Sequence, residues 1–376
     1  MGICKLLSAS LYIASAFAST SYIIKYSTVP GYFLQDLNTT NATTFDYTTV
    51  NFGLINRTYT DGQTVDKYGT PLTQWQKFEA EVIRLQLAAG AGSKHTDYKV
   101  VFFGRHGEGY HNAAETFYGT PAWNCYWAEL NGNSTTSWDD AKLTANGVKQ
   151  AQVANAFWAS RIALQKIRTP DTYFTSPLSR CLATANITFS GLSLPKKSKF
   201  VPLIKEYLRE GISIHTCDRR SNKTYIAKTY PGWKIEPNFS EYDQIWNGVT
   251  SETNDAEDLR SKVALDDIFS SKSGLFVSVT SHSGEIGSLL RVLGHQAFSL
   301  NTGAIIPVLV KAEKLPGTPT TGSATWTQSP HCTAPPLSSI SNGACVCPSS
   351  AAPVTSLLVT ESPSVTPTVT FRPTGV

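Results

Sequence analysis

The chain has 376 residues, 41% of them hydrophobic, which is ample for one large core or two modest ones. Its formal net charge of +4 is small, and no basic stripe with interleaved aromatics occurs, so a nucleic-acid partner is not expected. No apolar run reaches the roughly 20 residues that cross a bilayer, and no membrane span is expected.

Residues 1–18 read as a signal peptide. Lys5 closes a short basic segment, residues 6–17 are apolar, and Ala16-Phe17-Ala18 offers a small-x-small cleavage site. The expectation is a secreted, extracellular protein, with cell-wall association as an open possibility. Asn-x-Ser/Thr triplets at Asn38, Asn41, Asn56, Asn133, Asn222 and Asn238 lie in polar contexts and predict N-linked glycans. A seventh, Asn186, falls inside a predicted helix. Beyond the signal, Cys125, Cys181, Cys217, Cys332, Cys345 and Cys347 allow about fifteen complete pairings. Cys181 equally suits a buried free thiol, which leaves an odd partner elsewhere.

Residues 19–97 form an N-terminal extension expected to pack on the core. Its first part, to about 72, is rich in Thr, Tyr and Asn and reads as an extended wrap; a helix follows over 73–87, closed by Gly90. A buried strand over 99–103 precedes Gly104. A helix opens with Thr144 as N-cap, with Val148, Ala151, Ala154, Phe157 and Trp158 on its apolar face. The pattern then alternates: strand 172–175, helix 178–189, strand 200–204, helix 256–269, strand 275–280, helix 285–293 and strand 304–310. Pro307 places the last strand at an edge or a strand start. Strands separated by helices imply crossover connections and an α/β fold with a mainly parallel sheet. The catalytic domain is bounded at 98–312. From 313 a disordered tail is predicted, since Ser, Thr and Pro supply 32 of the last 61 residues, a composition that suits O-linked glycans.

Three loops follow three predicted strands and carry groups suited to phosphoryl oxygens: Arg105, His106 and Asn112; Ser176-Pro177-Leu178-Ser179-Arg180; and Ser281-His282-Ser283-Gly284. In a parallel sheet these loops share one edge, so two histidines and two arginines converge there. Guanidinium groups bind phosphate with paired planar hydrogen bonds, and a neutral imidazole can accept a phosphoryl group covalently. The histidines sit on separate elements beside arginines, which opposes a divalent ion; no metal and no organic cofactor are expected.

These motifs resemble the histidine phosphatase superfamily, specifically its phosphoglycerate mutase-like branch. The resemblance covers roughly 98–312 and includes Arg105-His106-Gly107-Glu108, Leu143-Thr144-x-x-Gly147-x-x-Gln150-Ala151, Ser176-Pro177-Leu178-x-Arg180-Cys181-x-x-Thr184, Leu208-Arg209-Glu210 and Ser281-His282-Ser283-Gly284. It implies a three-layer α/β/α sandwich. It implies that His106 is the nucleophile, that Arg105, Arg180 and His282 line the phosphate pocket with Asn112 as an added donor, and that His282 belongs to the catalytic set. The proton donor it implies is Glu210, with Glu206 as the alternative. Ile214-His215-Thr216-Cys217-Asp218-Arg219-Arg220 resembles a stretch of fungal and plant members near the substrate mouth, which makes Arg219 and Arg220 substrate-binding candidates, and Glu206 is counted with them; surface ion pairing is the commoner fate of such arginines. His111, His215 and His295 read as structural. Arg-His-Gly-x-Arg-x-Pro and a His-Asp pair, found in the acid phosphatases and phytases of the superfamily, are missing, so phytase activity is not implied.

The implied function is secreted hydrolysis of a small phosphomonoester through a phosphohistidine. Two readings compete: phosphoryl transfer of the mutase type, and a non-catalytic extracellular glycoprotein that retains the fold.

Overall fold

The computed structural model describes residues 22–317 apart from 61, 63, 93, 94 and 272, together with 325–336, 345–348 and 354–359. The signal segment lies outside these residues. Strand β1 (Tyr22–Thr28) precedes helix α1 (Gln74–Gly92) and strand β2 (Thr96–Arg105). Two short helices follow, α2 (Tyr110–Tyr118) and α3 (Thr120–Cys125), then α4 (Ala145–Ser160), β3 (Thr172–Thr175) and α5 (Ser179–Phe189). Next come β4 (Leu203–Ile204), α6 (Lys223–Thr229), β5 (Lys234–Ile235), β6 (Thr250–Glu252) and α7 (Asn254–Ser270). The set closes with β7 (Phe276–Ser281), α8 (Ser283–Val292), β8 (Ile305–Pro316) and β9 (Trp326–Gln328).

The main sheet has the order β1-β8-β2-β7-β3-β4-β5. Strands β2, β7, β3, β4 and β5 run parallel, while β8 is antiparallel to β2 and β1 antiparallel to β8. Helices cover both faces, giving the mainly parallel three-layer α/β architecture. Val100, Val101, Phe102 and Phe103 are all fully buried, as the continuous apolar run requires of a strand covered on both sides. Phe102 packs on Trp158 of α4 at 4.9 Å and on Phe52 at 5.7 Å.

Several boundaries differ from the sequence reading. Helix α1 passes through Gly90, because Ala88, Ala89 and Ala91 carry the helix across one unfavourable residue. The extended wrap supplies an edge strand, β1, and buries Phe33, Tyr47 and Phe52 in the main core. Strand β4 keeps only two of its five expected residues. Strand β8 extends to Pro316, and it is an inner strand. Pro307 is nevertheless free of conflict, since β1 pairs with β8 only from Val310 onward and Gln35 Nε2 donates to the Pro307 carbonyl at 2.9 Å. The tail is not structureless throughout. Strand β9 pairs antiparallel with β6, and disulfides join Cys125 to Cys345 and Cys332 to Cys347. Cys181 and Cys217 are free and buried, so the odd partner is Cys217.

Candidate active site

Three strand ends meet at the carboxyl edge of the sheet. The register pairs Arg105 with Ser281 and Thr175 with Thr280. Beyond the strands the ladder continues: His106 N donates to Ser281 O at 3.0 Å, and Ser176 N donates to Thr280 O at 3.0 Å.

The loop after β2 is held by the motifs around it. Gly107 N donates to Thr184 Oγ1 on α5 at 2.9 Å, and Glu108 N donates to Gln150 Oε1 on α4 at 2.7 Å. Thr144 Oγ1, the N-cap of α4, donates to Glu108 Oε1 at 2.6 Å. A Cβ on Gly107 would stand 2.3 Å from Gly147 O, and one on Gly147 would stand 2.1 Å from Glu108 O. These two glycines let the loop lie flat on the start of α4.

His106 is fully buried. Its Nδ1 lies 2.7 Å from Gly107 O, an acceptor, so the proton sits on Nδ1. Nε2 has no hydrogen-bond partner. Burial, then the charges of Arg180 and Arg105, hold this imidazole well below its ordinary pKa, so it is neutral. His282 lies at the N-cap of α8 with its ring 5.0 Å from that of His106. Arg180 Nε donates to His282 Nδ1 at 3.2 Å, leaving Nε2 to donate to Ser176 Oγ at 2.8 Å. Arg180 also donates from Nη1 to Cys217 O at 2.6 Å, and its Nη2 is 3.7 Å from Asp218 Oδ1. Arg105 is anchored through Nη1 to Leu300 O at 2.7 Å, while its Nε has no partner.

Glu210 joins this group: ligand atoms of His106, Glu210 and His282 lie within 4.8 Å of one another. Its Oε1 accepts from Glu285 N at 3.1 Å and Gly211 N at 3.2 Å. Burial, then the charge of Asp218, push its carboxyl up against the opposing pull of Arg180 and Arg105. The three donors have spacing that can hold an ion, but the flanking guanidiniums disfavour a divalent cation and favour an oxyanion.

The other candidates are engaged elsewhere. Glu206 accepts from Arg209 and from Arg220, both within 2.9 Å. Arg220 further donates to Ser221 O, Ser240 O and Tyr242 O, and is 2% exposed. Arg219 pairs with Asp139 at 2.9 Å and lies over the Trp246 ring. Glu206 and Arg220 tie together the loop of residues 206–246, and Arg219 ties that loop to Asp139 and Asn131; all three are engaged with protein partners in this arrangement. Asn112 sits in the first turn of α2, where its Oδ1 accepts from Gly109 N at 2.9 Å. His111, read from the sequence as structural, is buried with its ring 5.4 Å from that of His106 and its Nδ1 unpartnered.

A buried neutral imidazole with a free ring nitrogen, two guanidiniums and a carboxyl at the carboxyl edge of a parallel α/β sheet form a site suited to a phosphoryl oxyanion. The chain matches the model of the histidine phosphatase superfamily (branch 1) over residues 101–302, and it belongs to that superfamily, in its phosphoglycerate mutase-like branch. It is 48% identical over 290 residues to a "Probable phosphoglycerate mutase" of Arthroderma benhamiae, covering 77% of this chain and 85% of that protein. A "Phosphomutase-like protein 3" of Candida albicans is 40% identical over 222 residues, covering 57% of this chain and 66% of that one. A "Probable phosphoglycerate mutase PMU1" of Saccharomyces cerevisiae is 33% identical over 237 residues, covering 58% and 80%.

Proposed function

We propose that this chain is a secreted hydrolase of small phosphomonoesters that works through a phosphohistidine on His106. The observation that carries the reading is His106 Nε2: buried, unpartnered and on a neutral ring whose Nδ1 is fixed by Gly107 O. In the first half-reaction Nε2 attacks phosphorus and the P–O bond to the substrate alkoxide breaks. Arg105 and Arg180 share the charge on the non-bridging oxygens, His282 turns to them the Nε2 proton it otherwise gives to Ser176 Oγ, and Asn112 Nδ2 is a further donor. Glu210, its carboxyl raised by burial, gives its proton to the leaving oxygen. In the second half-reaction the ionised Glu210 takes a proton from water, which attacks the phosphohistidine and releases inorganic phosphate.

Export rests on the residue 1–18 pattern and favours hydrolysis, because a mutase needs a supply of bisphosphorylated primer. The names of the fungal relatives favour the mutase reading. A panel of phosphomonoesters decides between them: phosphate release by the wild type and loss of at least about 1000-fold in His106→Ala is expected. Equal release by both proteins overturns the nucleophile. Interconversion of phosphoglycerate isomers without net phosphate release overturns hydrolysis.

A further inference from the structure

A row of aromatic side chains starts at the last turn of α2, with Phe117 exposed and Tyr118, Tyr126 and Trp127 half-buried. Phe117 is 81% exposed, its ring 5.0 Å from that of Tyr118. Tyr118 stacks on Trp127 at 4.0 Å with an interplanar angle of 11°, and Tyr126 follows at 5.0 Å. Leaving an aromatic of this size in water forgoes the burial that ordinarily stabilises it.

Beside this row the chain turns back through residues 132–137, where Gly132 pairs with Ser137. Asn133 is exposed at the tip. Its Oδ1 accepts from Thr135 N at 3.0 Å, Thr135 Oγ1 at 3.0 Å and Thr136 N at 2.8 Å. The amide oxygen is thus saturated by Thr135 of its own Asn-Ser-Thr triplet together with Thr136 N. Its Nδ2 donates to Tyr118 Oη at 2.9 Å. An amide nitrogen has two hydrogens, so one remains for substitution.

We propose that Asn133 carries an N-linked glycan whose first N-acetylhexosamine residues lie on the Phe117–Tyr118–Trp127 surface and form a structural part of the folded protein. The donor is a lipid-diphosphate-linked oligosaccharide. The bond from Nδ2 to the anomeric carbon forms as the bond from that carbon to the diphosphate oxygen breaks; the diphosphate leaves with the electron pair and the amide loses one proton. The remaining N–H keeps the contact to Tyr118. That contact fixes the root of the sugar next to the aromatic faces, and the axial C–H bonds of a hexosamine ring suit a π-face as other polarised donors do.

This inference rests on the proposed secretion, and the experiment separates the two. The full chain, residues 1–376, is exported from a eukaryotic host and its glycopeptides are mapped. Melting temperatures are then compared for wild type, Asn133→Gln, Phe117→Ser and the double variant. Phe117 is exposed, so its replacement does not challenge folding. The expected result is an occupied Asn133, a Tm lower by about 2 °C in Asn133→Gln, and a destabilisation by Phe117→Ser that vanishes in the Asn133→Gln background. An unmodified Asn133 in a protein glycosylated at Asn38, Asn41 or Asn56 overturns the inference and leaves secretion standing. The same effect of Phe117→Ser in both backgrounds overturns the packed glycan. A chain that is not exported overturns both.

Discussion

An imidazole attacks phosphorus only while neutral, and a carboxyl protonates a leaving group only while it holds its proton. Burial lowers His106 and raises Glu210, so both required states coexist over a wide pH range. The sign follows for each limb. Activity falls on the acid side only when His106 is protonated, below the ordinary imidazole value. It falls on the alkaline side as Glu210 ionises, above the ordinary carboxyl value. In Glu210→Gln the alkaline limb of kcat/KM should disappear along with about 100-fold or more of the rate on substrates with poor leaving groups; a profile with the limb intact assigns the proton donor elsewhere. The choice between Glu210 and Glu206 was not legible in the sequence, because both follow the same short strand. Packing separates the two: Arg209 and Arg220 engage Glu206, while the start of α8 delivers Glu285 N to Glu210, which lies beside His106 and His282. His106, Arg180 and His282 were legible for the opposite reason: each directly follows a strand or opens a helix with a strong pattern. The ion pairs of Arg219 and Arg220 were not legible, because a sequence shows charges without their partners.

Helix α7 acts on the site from a distance. Arg260 Nη1 donates to the carbonyls of Tyr207 and Arg209 at 2.9 and 3.0 Å, and Nη2 to that of Glu210 at 3.2 Å. The same guanidinium pairs with Glu252 at 2.9 Å and with buried Glu285 at 2.8 Å. One side chain therefore holds the backbone that presents Glu210 and the helix start that bonds its Oε1. Arg260→Met leaves Glu252 and Glu285 without their cation, so stability should fall by about 3–5 kcal/mol in denaturant unfolding. In the fraction that folds, the alkaline limb should move while KM changes little, because Arg260 is not among the groups assigned to phosphate. An unchanged limb and kcat would leave Arg260 with a structural role alone. The glycine pair offers a second check on the elements: Gly107→Ala should destabilise by about 1–3 kcal/mol or more, because backbone, not a flexible side-chain end, meets the new methyl. Long periodic helices and buried strands were readable along the chain. The two-residue β5 and the edge strand β1 were not, and β4 was readable in place but not in length, since their hydrogen-bond partners lie far away in sequence and carry the assignment.

At the scale of the whole molecule, buried ionisable groups make stability depend on pH in a direction that can be worked out. Glu129 is 3% exposed, its Oε1 has no partner, and burial followed by the charge of Asp218 pushes its carboxyl up to about 9. Burial and weaker like charges raise Glu257 to about 7. A raised carboxyl binds its proton more tightly in the folded chain, so its contribution is complete below the unfolded value of about 4.5 and is lost as pH climbs through the folded one. The buried histidines His106, His111, His215 and His282 are lowered, and their contribution is lost only as pH falls below about 6.5. The two sets oppose each other in acid. Well above about pH 6.5 the histidines drop out, and the raised carboxyls give the slope its downward sign. Stability should therefore decline from about pH 6.5 to about pH 8, by up to about 1.4 kcal/mol per pH unit for Glu129. Lys99, lowered by burial, pulls the other way, so a substitution has to isolate the carboxyl. Glu129→Gln keeps the shape and removes the titration. Its melting temperature should exceed that of the wild type at about pH 8 and approach it near pH 5. Parallel curves for the two proteins across that range would show that Glu129 ionises alike in the folded and unfolded chains.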